Sequence, residues 1–172
     1  MPTAETAHSG VLATPIGPLT ITTTESGVAR VDFGTVAQCS TETRGTSPEA
    51  TDILEMAMVQ LDEYFHRGRR AFTVPLDRSD RVGFRGAVLG ALEGVRFGET
   101  VSYGELAVRA GSPRAARAVG TAMATNPIAV IVPCHRVLRS GGATGRYGGG
   151  VDAKVWLLEM EREVAAATDP MD

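Results

Sequence analysis

The sequence predicts an α/β protein of two units: an N-terminal three-stranded antiparallel sheet with one helix, then a mostly helical unit containing a helix-turn-helix. Three observations predict it. In "GVLATPIGPLTITTTESGVARVDFGT" (Gly10 to Thr35), apolar residues alternate with polar and β-branched ones between turn signals. From Ser47-Pro48 the apolar spacing becomes helical. Beyond residue 80, helical spacing recurs with a capping box and a Ser-Pro start signal separated by one glycine-bearing turn.

Taken in order, Leu19 and Ile21, then Val28, Val31 and Phe33, mark strands separated by turns at Pro15 to Pro18 and at Ser26-Gly27. Residues 38–48 read as a loop. Ser47 is the expected N-cap and Pro48 the first residue of a helix whose apolar face is Ile53, Met56, Ala57, Leu61, Tyr64 and Phe65, with Gly68 ending it. "AFTVPLDRSD" (Ala71 to Asp80) is extended and then polar, which places the domain boundary between 1–80 and 81–172. Phe84, Val88, Leu89 and Leu92 repeat at helical spacing in spite of intervening glycines. Ser102 and Glu105 then form an S-x-x-E capping box for a short helix ending near Gly111, and Ser112-Pro113 is expected to open the next helix at once.

Composition excludes several classes. With 172 residues, 43% hydrophobic and 22% charged, the chain reads as an ordinary globular protein. "MPTAETAHSG" lacks the basic-then-apolar pattern of a signal peptide, and no window reaches the roughly 18 apolar residues of a membrane span, so a cytoplasmic location is expected. Cys39 and Cys134 are too far apart in sequence, and too few, for a disulfide framework or a structural zinc site. The net charge of −3 conceals an asymmetry: residues 1–80 hold 6 Arg and 11 acidic residues, whereas residues 81–162 hold 11 basic and 6 acidic ones. A basic C-terminal half fits nucleic-acid contact confined to one part of the molecule, and it fits a general arginine bias as well.

The second helix of the expected helix-turn-helix is lined by Ala115, Ala116, Ala118 and Gly120, with Arg114 and Arg117 projecting. Small residues let a backbone approach a groove while one cation reaches in, and the scarcity of Asn and Gln argues for contact with backbone and groove shape over base-edge reading. They serve close helix packing equally well. In "IAVIVPCHRVLRSGGATGRYGGG" (Ile128 to Gly150), Cys134 and His135 adjoin each other. A histidine can draw the proton from a thiol and so make it nucleophilic, whereas a lone cysteine is more often a small packed hydrophobe.

The motifs "GETVSYGELA" (Gly98 to Ala107), "RAARAVGTAMATNP" (Arg114 to Pro127), "VPCHRV" (Val132 to Val137), "YGGG" (Tyr147 to Gly150) and "KVWLLEME" (Lys154 to Glu161), in this order and spacing, resemble the O6-alkylguanine-DNA alkyltransferases, the methylated-DNA–protein-cysteine methyltransferases. The likeness spans roughly residues 10–162. It implies a ribonuclease-H-like N-terminal domain and a winged-helix-like C-terminal domain. It also implies direct-reversal repair: the alkyl group of O6-alkylguanine, and of O4-alkylthymine, passes irreversibly to Cys134 in a single turnover, with neither metal nor cofactor. The expected partner is double-stranded alkylated DNA, entered through the minor groove with the damaged nucleotide flipped out, and the protein is expected to be a monomer.

By matched position, the resemblance makes Cys134 the nucleophile, His135 its base through a bridging water, and Glu161 the group orienting His135. Tyr103 helps extrude the nucleotide and donates to the base. Arg117 fills the vacated stack, with Ala115 and Ala116 on the same DNA-facing helix, and Met123 walls the pocket. Asn126 ties that helix to the active-site loop. Tyr147 and the Gly148 N–H belong to the binding loop, and the carbonyls of Cys134 and Val137 accept from the exocyclic amine. Cys39 remains structural. The chain departs from the family pattern at Phe84-Arg85 and at Leu89, where relatives carry F-Q and W. Two other readings of the same residues are a DNA-binding protein that never acquires mass and a Cys-His hydrolase that ignores DNA.

Overall fold

The computed structural model describes residues 7–35 and 47–168. Cys39 and positions 38–46 of the expected loop lie outside them. The chain divides into two compact units, one reaching to Ser79 and including Pro127–Ile131, the other comprising Asp80–Asn126 and Val132–Asp172.

In the first unit, β1 (His8–Leu12), β2 (Leu19–Thr24) and β3 (Gly27–Phe33) form an antiparallel sheet in that order, with a register shift at Thr22/Thr23. β2 is central and buried throughout, so its threonines need partners. They have them: Thr20 Oγ1 donates to the Gly34 carbonyl at 2.8 Å, Thr23 Oγ1 to the Ala50 carbonyl at 2.6 Å, and Thr24 Oγ1 to Asp77 Oδ2 at 2.7 Å. The outer edge of β3 is covered by short bridges from Val28 to Leu76 and from Val31 to Ile128, the second explaining why Pro127–Ile131 belongs to this unit.

Helix α1 (Pro48–Phe65) starts as expected, with Ser47 Oγ accepting from Ala50 N at 3.1 Å and Pro48 in the first turn. Its C-terminus is a Schellman arrangement: Arg67, at φ 66°, donates from N to the Tyr64 carbonyl, and Gly68 N donates to the Glu63 carbonyl at 2.8 Å. The buried stripe runs Ala50, Leu54, Ala57, Leu61 and Tyr64. Met56, expected on that face, is 43% exposed. The i, i+3, i+4 stripe starting from Ala50 leaves Met56 about 120° off the core direction, and Leu54 takes the core position instead. Gln60 is buried as well. It accepts from Thr73 N and Val74 N at 2.9 and 3.1 Å and donates to Thr73 Oγ1 at 2.7 Å, pinning the extended segment after the helix.

The second unit is helical: α2 (Gly83–Glu93), α3 (Tyr103–Arg109), α4 (Ala116–Ala124) and α5 (Val151–Thr168), with a two-residue parallel ladder between β4 (Val101–Ser102) and β5 (Val137–Leu138). The glycines of α2 are partly explained by packing, since a Cβ on Gly86 would lie 2.8 Å from the Arg81 carbonyl oxygen. The capping box of α3 is present in both directions: Ser102 Oγ accepts from Glu105 N at 3.1 Å, and Ser102 N donates to Glu105 Oε2 at 2.6 Å. Helix α4 begins later than expected. Ser112 to Ala115 close a turn, with Ala115 N donating to the Ser112 carbonyl at 3.0 Å, so Ser112 caps nothing and the helix opens at Ala116. Among the described residues no helix is long and apolar enough to cross a membrane.

Candidate active site

Helix α5 buries Ala153, Lys154, Leu157, Met160 and Glu161, a regular i, i+4, i+7 stripe in which two positions are charged. Opposite it, Cys134–Arg136 forms a single 3-10 turn whose three residues are all buried. Val132 and Pro133 lead into it through an inverse γ-turn: Pro133 sits at φ −84°, ψ 65°, and Cys134 N donates to the Val132 carbonyl at 2.8 Å. The turn and the α5 stripe therefore bring a thiol, an imidazole, a guanidinium and a carboxylate into one buried cluster.

Glu161 is the centre of it. Its Oε1 accepts from His135 Nε2 at 2.8 Å and from Arg136 Nη2 at 2.8 Å, and its Oε2 accepts from Arg136 Nε at 2.9 Å. Arg136 Nη1 donates in turn to the Val95 carbonyl at 2.7 Å. Burial opposes ionisation of Glu161, yet the hydrogen bonds of His135 and Arg136, with the Arg136 charge, outweigh it and hold the carboxyl far below the ordinary range. Glu161 is thus a carboxylate. For His135 burial dominates over the attraction of Glu161 and lowers its pKa, so the ring is neutral at pH 7. A carboxylate only accepts, so Nε2 carries the ring proton and Nδ1 presents a lone pair. That Nδ1 is buried and has no protein hydrogen-bond partner.

Burial also raises the Cys134 thiol, against the hydrogen bond of the Asn126 amide, the Lys154 charge and backbone N–H groups, all of which favour the thiolate. The resting pair is therefore a thiol beside a neutral imidazole with a free acceptor nitrogen. Lys154, itself lowered by burial, donates from Nζ to the Val137 carbonyl at 2.7 Å. The Val137 oxygen, expected to receive an exocyclic amine, already carries this one bond. The Cys134 carbonyl likewise accepts from Val137 N.

Above the thiol opens a cavity of about 420 Å3, within the ordinary range for small-molecule pockets. Of the expected residues, Cys134, Tyr103, Met123, Tyr147 and Gly148 line it. Tyr103 and Tyr147 are both raised, mainly by burial, so both phenols stay protonated and able to donate. The Tyr147 ring stands edge-on to His135, with centroids 6.5 Å apart. Asn126 Nδ2 donates to the Val132 carbonyl at 2.9 Å, joining the end of α4 to the turn before Cys134. Ala116 and Arg117 are exposed on α4, and Ala115 precedes it half-buried; none of the three lines the cavity.

Five residues with a place in this geometry carry no expected role: Arg136, Lys154, Arg139, Arg146 and Arg85. Lys154 had a sequence signal, since it falls on the apolar stripe of α5, where a charge is out of place. Arg136 had none, because the Arg136–Glu161 contact joins residues 25 apart. Arg85, the departure from the family's F-Q, donates from Nη2 to the Thr125 carbonyl at 2.7 Å and from Nε to Thr125 Oγ1 at 3.3 Å, capping the C-terminus of α4 next to Asn126.

Sequence models of two domains match the chain: the DNA-binding domain of 6-O-methylguanine DNA methyltransferase over residues 83–163, and its ribonuclease-like domain over residues 8–78. A methylated-DNA--protein-cysteine methyltransferase of Mycobacterium leprae is 42% identical over 156 residues, covering 90% of this chain and 92% of its own. One from Rattus norvegicus is 37% identical, covering 88% and 80%. Among solved structures, Mycobacterium tuberculosis OGT in complex with DNA superposes with a TM-score of 0.78 at 40% identity, covering 90% of this chain and 92% of that one. A buried Glu161–His135 pair beside Cys134, a helix-turn-helix, and similarity at this level over nine-tenths of the sequence have one reading: the chain belongs to the methylated-DNA–protein-cysteine methyltransferase family.

Proposed function

We propose that the protein repairs O6-alkylguanine in duplex DNA, and O4-alkylthymine with it, by one transfer of the alkyl group to Cys134 Sγ after the damaged nucleotide has turned out of the minor groove into the 420 Å3 cavity. The observation that carries this reading is the His135 ring, locked by Glu161 in the tautomer that leaves Nδ1 free to accept. Adjacent side chains rarely face each other, so the thiol proton reaches Nδ1 through one water. The imidazolium that forms stands beside the Glu161 carboxylate. Sγ attacks the alkyl carbon, the carbon–oxygen bond breaks, and the electron pair leaves on guanine, where the Tyr103 hydroxyl donates to the developing anion. Asn126 and Lys154 favour the transient thiolate. Arg117 enters the gap in the stack, while Ala115 and Ala116 let the helix approach the backbone. Met123 and Tyr147 flank the base, and the Gly148 N–H meets its oxygen.

The product is a thioether. It offers no carbonyl to water, so the protein acts once. In this reading residues 81–172 carry recognition and chemistry and residues 1–80 support them, the protein works as a monomer, and it acts in the cytoplasm. The test is stoichiometric. With methylated duplex in excess, transfer stops at one methyl group per protein and Cys134→Ser transfers none; continued turnover on the duplex contradicts the reading, and a protein left unmodified by the duplex that turns over esters or amides favours a hydrolase.

A further inference from the structure

Several arginines of this protein are held by carboxylates: Arg30 by Asp32, Arg69 by Glu63, Arg81 by Glu93, Arg109 by Glu99 and Arg136 by Glu161. Arg139 and Arg146 differ. Both line the cavity that holds Cys134, both are exposed at its rim, and neither side chain has an ion pair or hydrogen bond among the described residues. The lining contains no acidic residue. A pocket with two unneutralised guanidiniums and no carboxylate is built for an anion.

The chain between them is a tight glycine loop that sets both cations on one cavity. Arg139 N donates to the Ala143 carbonyl at 2.9 Å and Gly142 N to the Arg139 carbonyl at 2.9 Å, closing a tight loop through Gly141 and Gly142 at φ 87° and 86°. The chain then returns through Gly145, at φ 68°, beneath the Arg139 side chain. A Cβ on Gly145 would stand 3.5 Å from Arg139 Nε and 3.5 Å from Tyr103 Oη. The guanidinium of Arg139 and the phenol of Tyr103 therefore converge over the same glycine, and Arg146 follows it directly.

We infer that Arg139 and Arg146 form a phosphate-binding pair, which takes the phosphodiester flanking the extruded nucleotide and holds that nucleotide in the cavity during alkyl transfer. The inference rests on the proposed entry of the nucleotide into the cavity. The base of a nucleotide is neutral before reaction; the anionic part that remains at the rim, where both cations are, is its phosphodiester. Guanidinium offers paired N–H donors matched to phosphate oxygens, so each arginine can bind bidentately. Arg117, on α4, has the different task of filling the stack.

The test compares single-turnover methylation of Cys134 for the wild type, the Arg139→Gln/Arg146→Gln double variant and the Arg139→Lys/Arg146→Lys variant. Three substrates are used: a methylated duplex, the same duplex with uncharged methylphosphonates on both sides of the lesion, and O6-methylguanine as the free base. The Gln variant is expected to lower the ratio of duplex rate to free-base rate roughly ten- to a hundredfold, as loss of charge-assisted hydrogen bonds requires. Its rate on duplex should fall less steeply with salt, the logarithmic slope being shallower by about 0.9 for each phosphate no longer bound. On the methylphosphonate duplex, wild type and Gln variant should react alike, and the Lys variant should recover part of the native-duplex rate. An unchanged duplex rate overturns the pair, as does equal loss on duplex and free base, or a methylphosphonate duplex that still distinguishes the variants. A wild type that leaves Cys134 unmodified on the native duplex overturns the proposed function itself, and the pair with it.

Discussion

Cys134 is a buried thiol whose surroundings oppose ionisation overall, and this sets the form of its reactivity. Because burial lowers His135 too, the dominant state across neutral pH is thiol plus neutral imidazole, and in the proposed mechanism transfer of the proton is coupled to attack. The alkylation rate should then stay flat between about pH 6.5 and pH 8.5, the ordinary histidine and cysteine values. A tenfold rise per pH unit over that window would mean that a preformed thiolate reacts without help. His135→Ala should slow transfer by about 10²–10⁴-fold, the usual worth of a general base, with lesion binding retained. Glu161 is a less clean target than its proposed relay role suggests. It also neutralises Arg136, so Glu161→Gln leaves a buried guanidinium unpaired at a cost of about 3–5 kcal/mol. Calorimetry of that variant should show the loss, and its rate is informative only below its lowered melting point.

At the scale of elements, the devices that end and begin α3 and α4 differ in legibility. The start of α3 was readable, since Ser102 and Glu105 stood at capping-box spacing and fold as one. Ser112-Pro113 carried the same signal type and forms a turn, because a Ser-Pro pair suits a turn as well as a helix start and the tight connection after α3 decides between them. At the far end of α4 Arg85 binds the Thr125 carbonyl, a positive charge where the helix dipole is negative. Arg85→Ala should cost about 1 kcal/mol in thermal or denaturant unfolding. It should also slow alkylation more than Ser47→Ala, a loss of similar size at the α1 cap, because Thr125 adjoins Asn126 and Asn126 contacts the thiol. Equal rates for the two variants would remove the link between the cap and the site. On the exposed face of the same helix, Arg117→Ala should lower duplex repair at least tenfold, for each 1.4 kcal/mol or so of unstacking cost no longer offset, against a small effect on reaction with a free base. A comparable loss on both substrates would make Arg117 a support of the fold instead of a finger.

Across the whole molecule, what could be read from the sequence was what local spacing encodes: three strands, the Ser47-Pro48 helix start, and the succession of helices after residue 80. The pairing of Cys134 with His135 was visible because the two are adjacent. What binds Glu161 to Arg136, or Lys154 to the Val137 carbonyl, was hidden because only the folded chain brings those groups together, and buried charges are intelligible only with their partners. The same contacts govern acid stability. Glu161 and Asp77, one in each unit, both have carboxyls held below their ordinary values: burial works against this, and their hydrogen bonds prevail, with the charge of Arg136 assisting at Glu161. A depressed folded-state pKa contributes stability that is complete above the unfolded value and is lost as pH falls toward the folded one. The melting temperature should therefore decline steadily below about pH 4.5, starting where unfolded carboxylates begin to take up protons; a flat profile down to pH 3 would contradict it. The most direct test of the central claim is to weigh the protein after reaction with methylated duplex and map the adduct by peptide. A single added methyl group is expected on the peptide containing Cys134, and none on the peptide containing Cys39. Unmodified protein that still binds the lesion, or an adduct on any other residue, would contradict alkyl transfer to Cys134.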